Sequence, residues 1–394
     1  MKIVIIGLSI TSSWGNGHAT TYRSLLREMT KRGHDVLFLE RDVEWYASNR
    51  DMPKPPFARA ELYATVDELK QRFAPEVRNA DAVIVGSYVP EGALVGEWVA
   101  KITHGVKAFY DIDTPVTFAR LFNGDVDYLS RALVAKYDLY LSFTGGPLLP
   151  RVETELGSPM ARALYCSFDP ELYFPEPQAL KWDLGYMGTY SDDRQPQLDA
   201  LMLEAARGWP QGRFTVSGPM YPVTIEWPRN VARVVHLPPR EHRAFYNAQR
   251  FTLNITRAEM RAAGYSPSVR LFEAAACGTP IISDYWDGLG ELFEIGKEIL
   301  ISRSAVETLT FLREMPEEER WEVGARACKR VLREHTAAHR AGELERYLNQ
   351  VRRDTRDLNG TERELQPADL TMPRTRSAMR PAYSPESYVY SPAL

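Results

Sequence analysis

Ile3, Val4, Ile5 and Ile6 form an unbroken apolar run, followed by a polar loop rich in turn formers, Thr11-Ser12-Ser13-Trp14-Gly15-Asn16-Gly17-His18. A run without polar alternation suits a strand covered on both faces, as in a parallel sheet. Tyr22, Leu25, Leu26 and Met29 then recur at helical spacing, and Gly33 closes the helix before a second apolar run, Val36 to Leu39. Strand, loop, helix, strand is the unit of an α/β sheet. Ala82 to Val85, Val106 to Tyr110 and Leu139 to Phe143 are further expected strands, with a helix over Ala93 to Ile102. The order restarts later: strand Leu184 to Met187, loop Gly188 to Gln195, helix Gln197 to Arg207, strand Phe214 to Ser217. Expected strands follow at Val234 to Leu237, Phe251 to Ile255, Ile281 to Ser283 and Ile299 to Ile301, and helices at Glu317 to Glu334 and Ala337 to Val351.

Two such series need two sheets. The 394 residues are enough for two to three domains at about 150 residues each. Three prolines between Pro170 and Pro177 mark an extended connection between the series. The expected organisation is an N-terminal Rossmann-like domain over 1–170, a second over 178–336, a final helix over 337–353 that crosses back to the first domain, and a disordered tail over 355–394. The tail is inferred from Pro367, Pro373, Pro381, Pro385 and Pro392 among Arg, Ser and Tyr, without sustained periodicity.

Charge excludes several partners. Against 48 basic residues stand 52 acidic ones, so no basic excess points to nucleic acid or an anionic membrane. No apolar stretch reaches the roughly 18 residues of a membrane span. Cys166, Cys277 and Cys328 are odd in number and lack metal-ligand spacing, which implies neither a disulfide framework nor a zinc site. A cytoplasmic protein that needs no metal is the expectation.

The segment Gly264 to Pro280 is the most informative for chemistry. Ser266 is an expected N-cap, Pro267 suits the first helical turn, and Gly278 with Pro280 ends the helix. The N-terminus of a short helix between a loop and a strand offers unpaired N–H groups to a phosphate. Ser266, Arg270 and Glu273 share a face, so a cation and a carboxylate meet there. They suit a nucleotide diphosphate, the cation for phosphate and the carboxylate for ribose hydroxyls. An exposed Arg–Glu pair on an Ala-rich packing helix is the alternative.

The stretch from Ser268 to Pro280, with Phe272-Glu273-Ala274 and Ala276-Cys277-Gly278-Thr279-Pro280, resembles the donor-site helix of group 1 glycosyltransferases of the GT-B fold. Asp284-Tyr285-Trp286-Asp287-Gly288-Leu289, Glu298-Ile299-Leu300 and His335-Thr336 with Arg340 resemble the spore-maturation (CgeB-like) branch. The resemblance implies two doubly wound domains facing a cleft, with a nucleotide diphosphate sugar as donor substrate and no required cofactor. It implies donor contacts for Glu273, with Ser266, Ser268 and Arg270 on the same helix. It also matches Arg194 to the basic residue that meets the diphosphate, and His236 to the strand exit that holds the nucleobase. Many retaining members carry a second Glu eight positions earlier, where this chain has Tyr265. Asp287 and Glu291 lie where members approach the donor sugar, but the match is too loose to assign them.

Two candidate bases lie at strand exits in the first half. His18, in the acceptor loop with Gly15, Asn16 and Gly17, can take the proton of an acceptor hydroxyl, or it can serve only the helix start. Asp113 in Asp111-Ile112-Asp113-Thr114-Pro115 can do the same, or cap the loop. The first loop is not G-x-G-x-x-G, and Glu40 at the end of the second strand only mimics the ribose-binding acid of dehydrogenases. Glycosyl transfer to an unidentified saccharide, lipid-linked or small-molecule acceptor is thus the expected activity. A nicotinamide-dependent oxidoreductase and a non-catalytic sugar-binding or assembly protein on the same fold are the alternatives.

Overall fold

The computed structural model describes residues 1–14 and 17–364, and its first 353 residues form one compact unit. In the first half, β1 (Lys2–Gly7), β2 (Asp35–Arg41), β3 (Arg59–Tyr63), β4 (Ala82–Gly86), β5 (Val106–Asp111), β6 (Leu139–Ser142) and β7 (Ala161–Ala163) make a seven-stranded sheet. Its order is β3-β2-β1-β4-β5-β6-β7, and every pairing is parallel. The second half holds β8 (Trp182–Met187), β9 (Phe214–Ser217), β10 (Val231–Val234), β11 (Gln249–Asn254), β12 (Ile281–Ser283) and β13 (Leu300–Ile301), in the order β10-β9-β8-β11-β12-β13. This sheet is parallel throughout as well. In each sheet the chain starts centrally, winds out one way and returns to wind out the other. The reversal falls between β1 and β4 in one sheet and between β8 and β11 in the other, which is where such sheets bind ligands.

The apolar runs become strands because both faces are covered. Ile3 and Ile5 pack on one side of β1, and Val4 and Ile6 on the other. One apolar cluster continues from the helix His18–Lys31 to the helices Val269–Ala276 and Glu317–Glu334, so the halves share a core. The connection after β7 is packed as well, with Ser167, Phe168, Asp169 and Tyr173 all buried. Phe168 forms a parallel bridge with Thr336, just before the last helix.

Three of the expected elements differ in their bounds. The helix in the informative segment starts at Val269 with Ser268 as N-cap, so Ser266 lies two residues upstream of the cap position. Ser268 is itself extended, at φ −85° and ψ 151°, so the chain enters helical geometry only at Val269. β10 ends at Val234, where the expected strand began, because Val231 is its inward residue and Val235 is exposed. The last helix, Ala337–Glu364, runs past Thr355, and the remaining tail residues lie outside the described residues. Among the described residues no helix is long and apolar enough to cross a membrane.

Candidate active site

A cleft of about 400 Å³ opens where the C-terminal ends of the strands converge from both halves. The first half supplies Ser13, Gly17 and His18 after β1, Asp113 after β5 and Phe143 after β6. The second supplies Gly188 and Arg194 after β8, Gly218 after β9, His236 and Leu237 after β10, Arg257 after β11, then Ser266 to Ser268 ahead of the helix Val269–Ala276 and Val269, Arg270 and Glu273 on it. His18, Asp113, Arg194, Ser266, Ser268, Arg270, Glu273, His236 and Gly17 all line it. Gly15 and Asn16 lie outside the described residues.

Glu273 is 2% exposed. Its Oε2 accepts from the Tyr246 hydroxyl at 3.2 Å, with His242 Nδ1 3.7 Å away. His242 in turn has its Nε2 3.1 Å from the carbonyl of Leu237, the residue after His236. Arg270 is also buried: Nε donates to the Met187 carbonyl at 2.6 Å, Nη1 to Asn254 Oδ1 at 2.7 Å, and the guanidinium lies 4.9 Å from the Tyr186 ring centroid. Arg270 and Glu273 are therefore not an exposed pair; each is held by other partners inside the protein. Arg270 ties the ends of β8 and β11 together and brings Nη2 beneath Gly188, where a Cβ would lie 3.1 Å from it. Ser268 Oγ donates to the same Asn254 oxygen at 2.8 Å.

Arg194 sits just before a helical turn at the mouth of the β8 loop, Nη2 donating to the Thr189 carbonyl at 2.5 Å while its buried Nε has no partner. An unsatisfied buried N–H of a charged group is costly unless a ligand meets it. Gly218, at φ +148°, lets its loop approach that of Gly188, since a Cβ there would stand 2.0 Å from the Gly188 carbonyl oxygen. Only glycine tolerates that approach, and it shapes the cleft floor.

Across the cleft, His18 opens the helix His18–Lys31, half-buried against Phe143 at 6.0 Å between ring centroids. Burial pushes its pKa below the ordinary value, and nearby Asp113 pulls the other way. A neutral imidazole at neutral pH is the form that accepts a proton. Asp113 Oδ2 accepts from the Tyr88 hydroxyl at 2.8 Å and lies 3.5 Å from Arg257 Nη1 of the second half. Tyr88 adopts φ +63°, an uncommon conformation for a non-glycine residue, which aims its hydroxyl at Asp113. Ser266 reaches over too, its Oγ 2.9 Å from Thr144 Oγ1. His236 pairs with Trp14 across the halves, ring centroids 4.5 Å apart, and burial lowers its pKa.

Tyr265 does not line the cleft. At φ +51° it lays its ring over Gly146 and Gly288, where added Cβ atoms would come within 2.3 and 2.4 Å of ring carbons. Glu40 accepts from Ser9 Oγ, Thr11 Oγ1 and the N–H groups of Ile10 and Thr11, and so braces the loop after β1. Cys277 is buried at the C-terminal end of the helix Val269–Ala276, its thiol pKa pushed up by burial. Arg257, Tyr88, Tyr246 and His242 escaped the sequence reading. Arg257 carried a usable signal, since it follows an expected strand as Asp113 does; the tyrosines and His242 reach the site only through tertiary packing. Among the described residues no cluster of three His, Cys, Asp or Glu side chains is placed to hold a metal.

Residues 194–346 match the family model for glycosyl transferase-like domains. Curated protein sequences yield no significant match. Among solved structures, sucrose-phosphate synthase from Thermosynechococcus elongatus superposes with a TM-score of 0.65 at 13% identity, covering 89% of this chain and 99% of that one. Anabaena HepE in complex with UDP-glucose gives 0.65 at 12%, covering 89% and 100%. An alpha-glucosyltransferase (AGT) in complex with UDP gives 0.67 at 12%, again covering 89% and 100%. The fold is that of the GT-B glycosyltransferases.

Proposed function

We propose that the protein is a glycosyltransferase that moves a sugar from a nucleotide diphosphate, UDP in the simplest case, to an acceptor hydroxyl within this cleft. The observation that carries the reading is the convergence of Glu273 and the partner-seeking Arg194 at the reversal point of the second sheet. The complexes with UDP and UDP-glucose among the similar structures support the choice of nucleotide.

Glu273, its second oxygen occupied by Tyr246, offers the first to the ribose hydroxyls. The strand exit at His236 and Leu237 borders the base. Arg194 and the N–H groups at the start of the helix Val269–Ala276 meet the diphosphate, whose charge grows as the sugar departs. The acceptor oxygen bonds to the anomeric carbon, and the bond from that carbon to the phosphate oxygen breaks with its electron pair remaining on the diphosphate. The acceptor proton passes to neutral His18, with Asp113 beside it to favour the imidazolium. Arg270 acts by holding the β8 and β11 ends in place. No metal or cofactor enters this scheme.

The motifs Asp284 to Leu289, Glu298 to Leu300 and His335-Thr336 with Arg340 support placement in the CgeB-like branch. One similar structure is an alpha-glucosyltransferase in complex with UDP-glucose and DNA. The net charge of −4 argues for a saccharide or other small acceptor here instead. Three free cysteines favour a reducing, cytoplasmic setting.

Calorimetric titration of Glu273→Gln with UDP and with uridine tests the assignment. Glutamine keeps the volume and an acceptor for Tyr246 but removes the charge. A charged hydrogen bond is worth roughly 1.5–3 kcal/mol, so both ligands, which share the ribose, should bind about tenfold more weakly or worse. Unchanged affinity for both would sink the donor-site assignment.

A further inference from the structure

Arg257 stands between the two functional halves of the cleft and is not fully satisfied by either. Its Nη1 is 3.5 Å from Asp113 Oδ2 in the first half, and its Nε is 3.6 Å from Asp193 Oδ2 in the β8 loop. Both distances are long for charged hydrogen bonds, and Nε is buried with no hydrogen-bond partner. The backbone is held more firmly than the side chain, because Asp193 Oδ2 accepts from the adjacent Ala258 N–H at 2.9 Å. The guanidinium is thus a loosely partnered cation on a pinned turn, in the same cleft as Arg194. Asp113 keeps a second donor, Tyr88, whether or not Arg257 stays.

We propose that Arg257 is a donor-responsive latch: a bound nucleotide diphosphate draws its guanidinium off Asp113 and onto a phosphate, leaving Asp113 uncompensated beside His18. The inference rests on the glycosyl-transfer reading of this cleft. Phosphate offers a bidentate geometry that Asp113 does not supply here. The consequence is an order of events. Without a diphosphate, Arg257 offsets part of the Asp113 charge and weakens its pull on the His18 proton. With one bound, Asp113 favours the imidazolium just as the acceptor proton must leave, so the acceptor is activated only when a donor is present.

Affinity for UDP reads the latch without any acceptor. Asp113→Asn keeps the shape and the Tyr88 contact but removes the charge that competes for Arg257. UDP should therefore bind more tightly to Asp113→Asn, about two- to fivefold, the range of a partly exposed ion pair, while uridine is unchanged. Arg257→Gln should weaken UDP about tenfold and leave uridine unchanged. In the double variant the gain from Asp113→Asn should vanish, since the released cation is gone. Unchanged or weaker UDP binding by Asp113→Asn overturns the latch, as does a gain that persists in the double variant. Those results leave the donor site standing if Glu273→Gln still weakens both ligands. Absence of UDP binding by the unaltered protein overturns the donor site and the latch together.

Discussion

At the scale of single residues the cleft divides into groups that are spent on the protein and groups that are left for a ligand. Arg270 belongs to the first kind, with two nitrogens bound to Met187 and Asn254, and Arg194 to the second. His18 is tuned for its proposed role by burial, which lowers its pKa from the ordinary value of 6.5. The neutral form is the active one, and protonation on acidification removes it. The acid limb of kcat/KM should therefore lie below pH 6.5. Asp113→Asn removes an upward pull on His18 and should move that limb to still lower pH. His18→Ala should cut turnover about 10²-fold, abolish the limb, and leave UDP affinity nearly unchanged. An acid limb at or above pH 6.5 in the unaltered protein, or its survival in His18→Ala, would assign the base elsewhere. Much of the site was legible because helix spacing puts Arg270 and Glu273 on one face and strand exits mark ligand edges. What spacing cannot show is which charged groups the interior consumes. Arg270 read as a cation for the diphosphate or as half of an exposed pair, and only packing against Tyr186 and Met187 reveals its restraint.

At the scale of elements the apolar runs predicted their strands closely, since a run buried on both faces leaves little choice of structure. β3, with a mostly half-buried pattern, and the three-residue β7 lacked that signal and were not foreseen. The helix Val66–Asn79 was missed as well, with Pro75 inside it masking its periodicity. The packing of helix Glu317–Glu334 on helix Val269–Ala276 was equally invisible. Gly324 lies where a Cβ would stand 2.1 Å from the Gly278 carbonyl oxygen and 3.2 Å from Pro280 Cδ. Alanine in a helix interior normally gains about 0.5–1 kcal/mol over glycine. Here the clash with backbone reverses the sign, and Gly324→Ala should destabilise by about 1–3 kcal/mol in urea unfolding. It should also loosen the end of the donor helix and weaken UDP binding. A stabilised Gly324→Ala would show that the two helices are not in contact at this turn.

At the scale of the molecule, several contacts hold the halves together around the cleft. Gly145 N–H donates to the Tyr265 carbonyl at 2.9 Å, Ser266 meets Thr144, and Arg32 pairs with Glu345 of the last helix. Tyr265, which stands where the sequence resemblance expects a Glu, is part of this joint. Gly146 of the first half adopts φ +61°, and the Tyr265 ring of the second lies where its Cβ would be. Gly146→Ala therefore combines left-handed backbone strain of about 1–2 kcal/mol with a steric push on the ring. The halves would have to part slightly, so the expected outcome is a melting temperature several degrees lower and a weaker grip on UDP, since Ser266 and the helix Val269–Ala276 follow directly on Tyr265. Tyr265→Ala removes the ring and should restore part of the UDP affinity in a Gly146→Ala background, leaving only the backbone strain. If Gly146→Ala impairs UDP binding to the same extent with and without the tyrosine ring, the wedge is not what sets the spacing of the cleft, and the role of Tyr265 must be sought in its backbone alone.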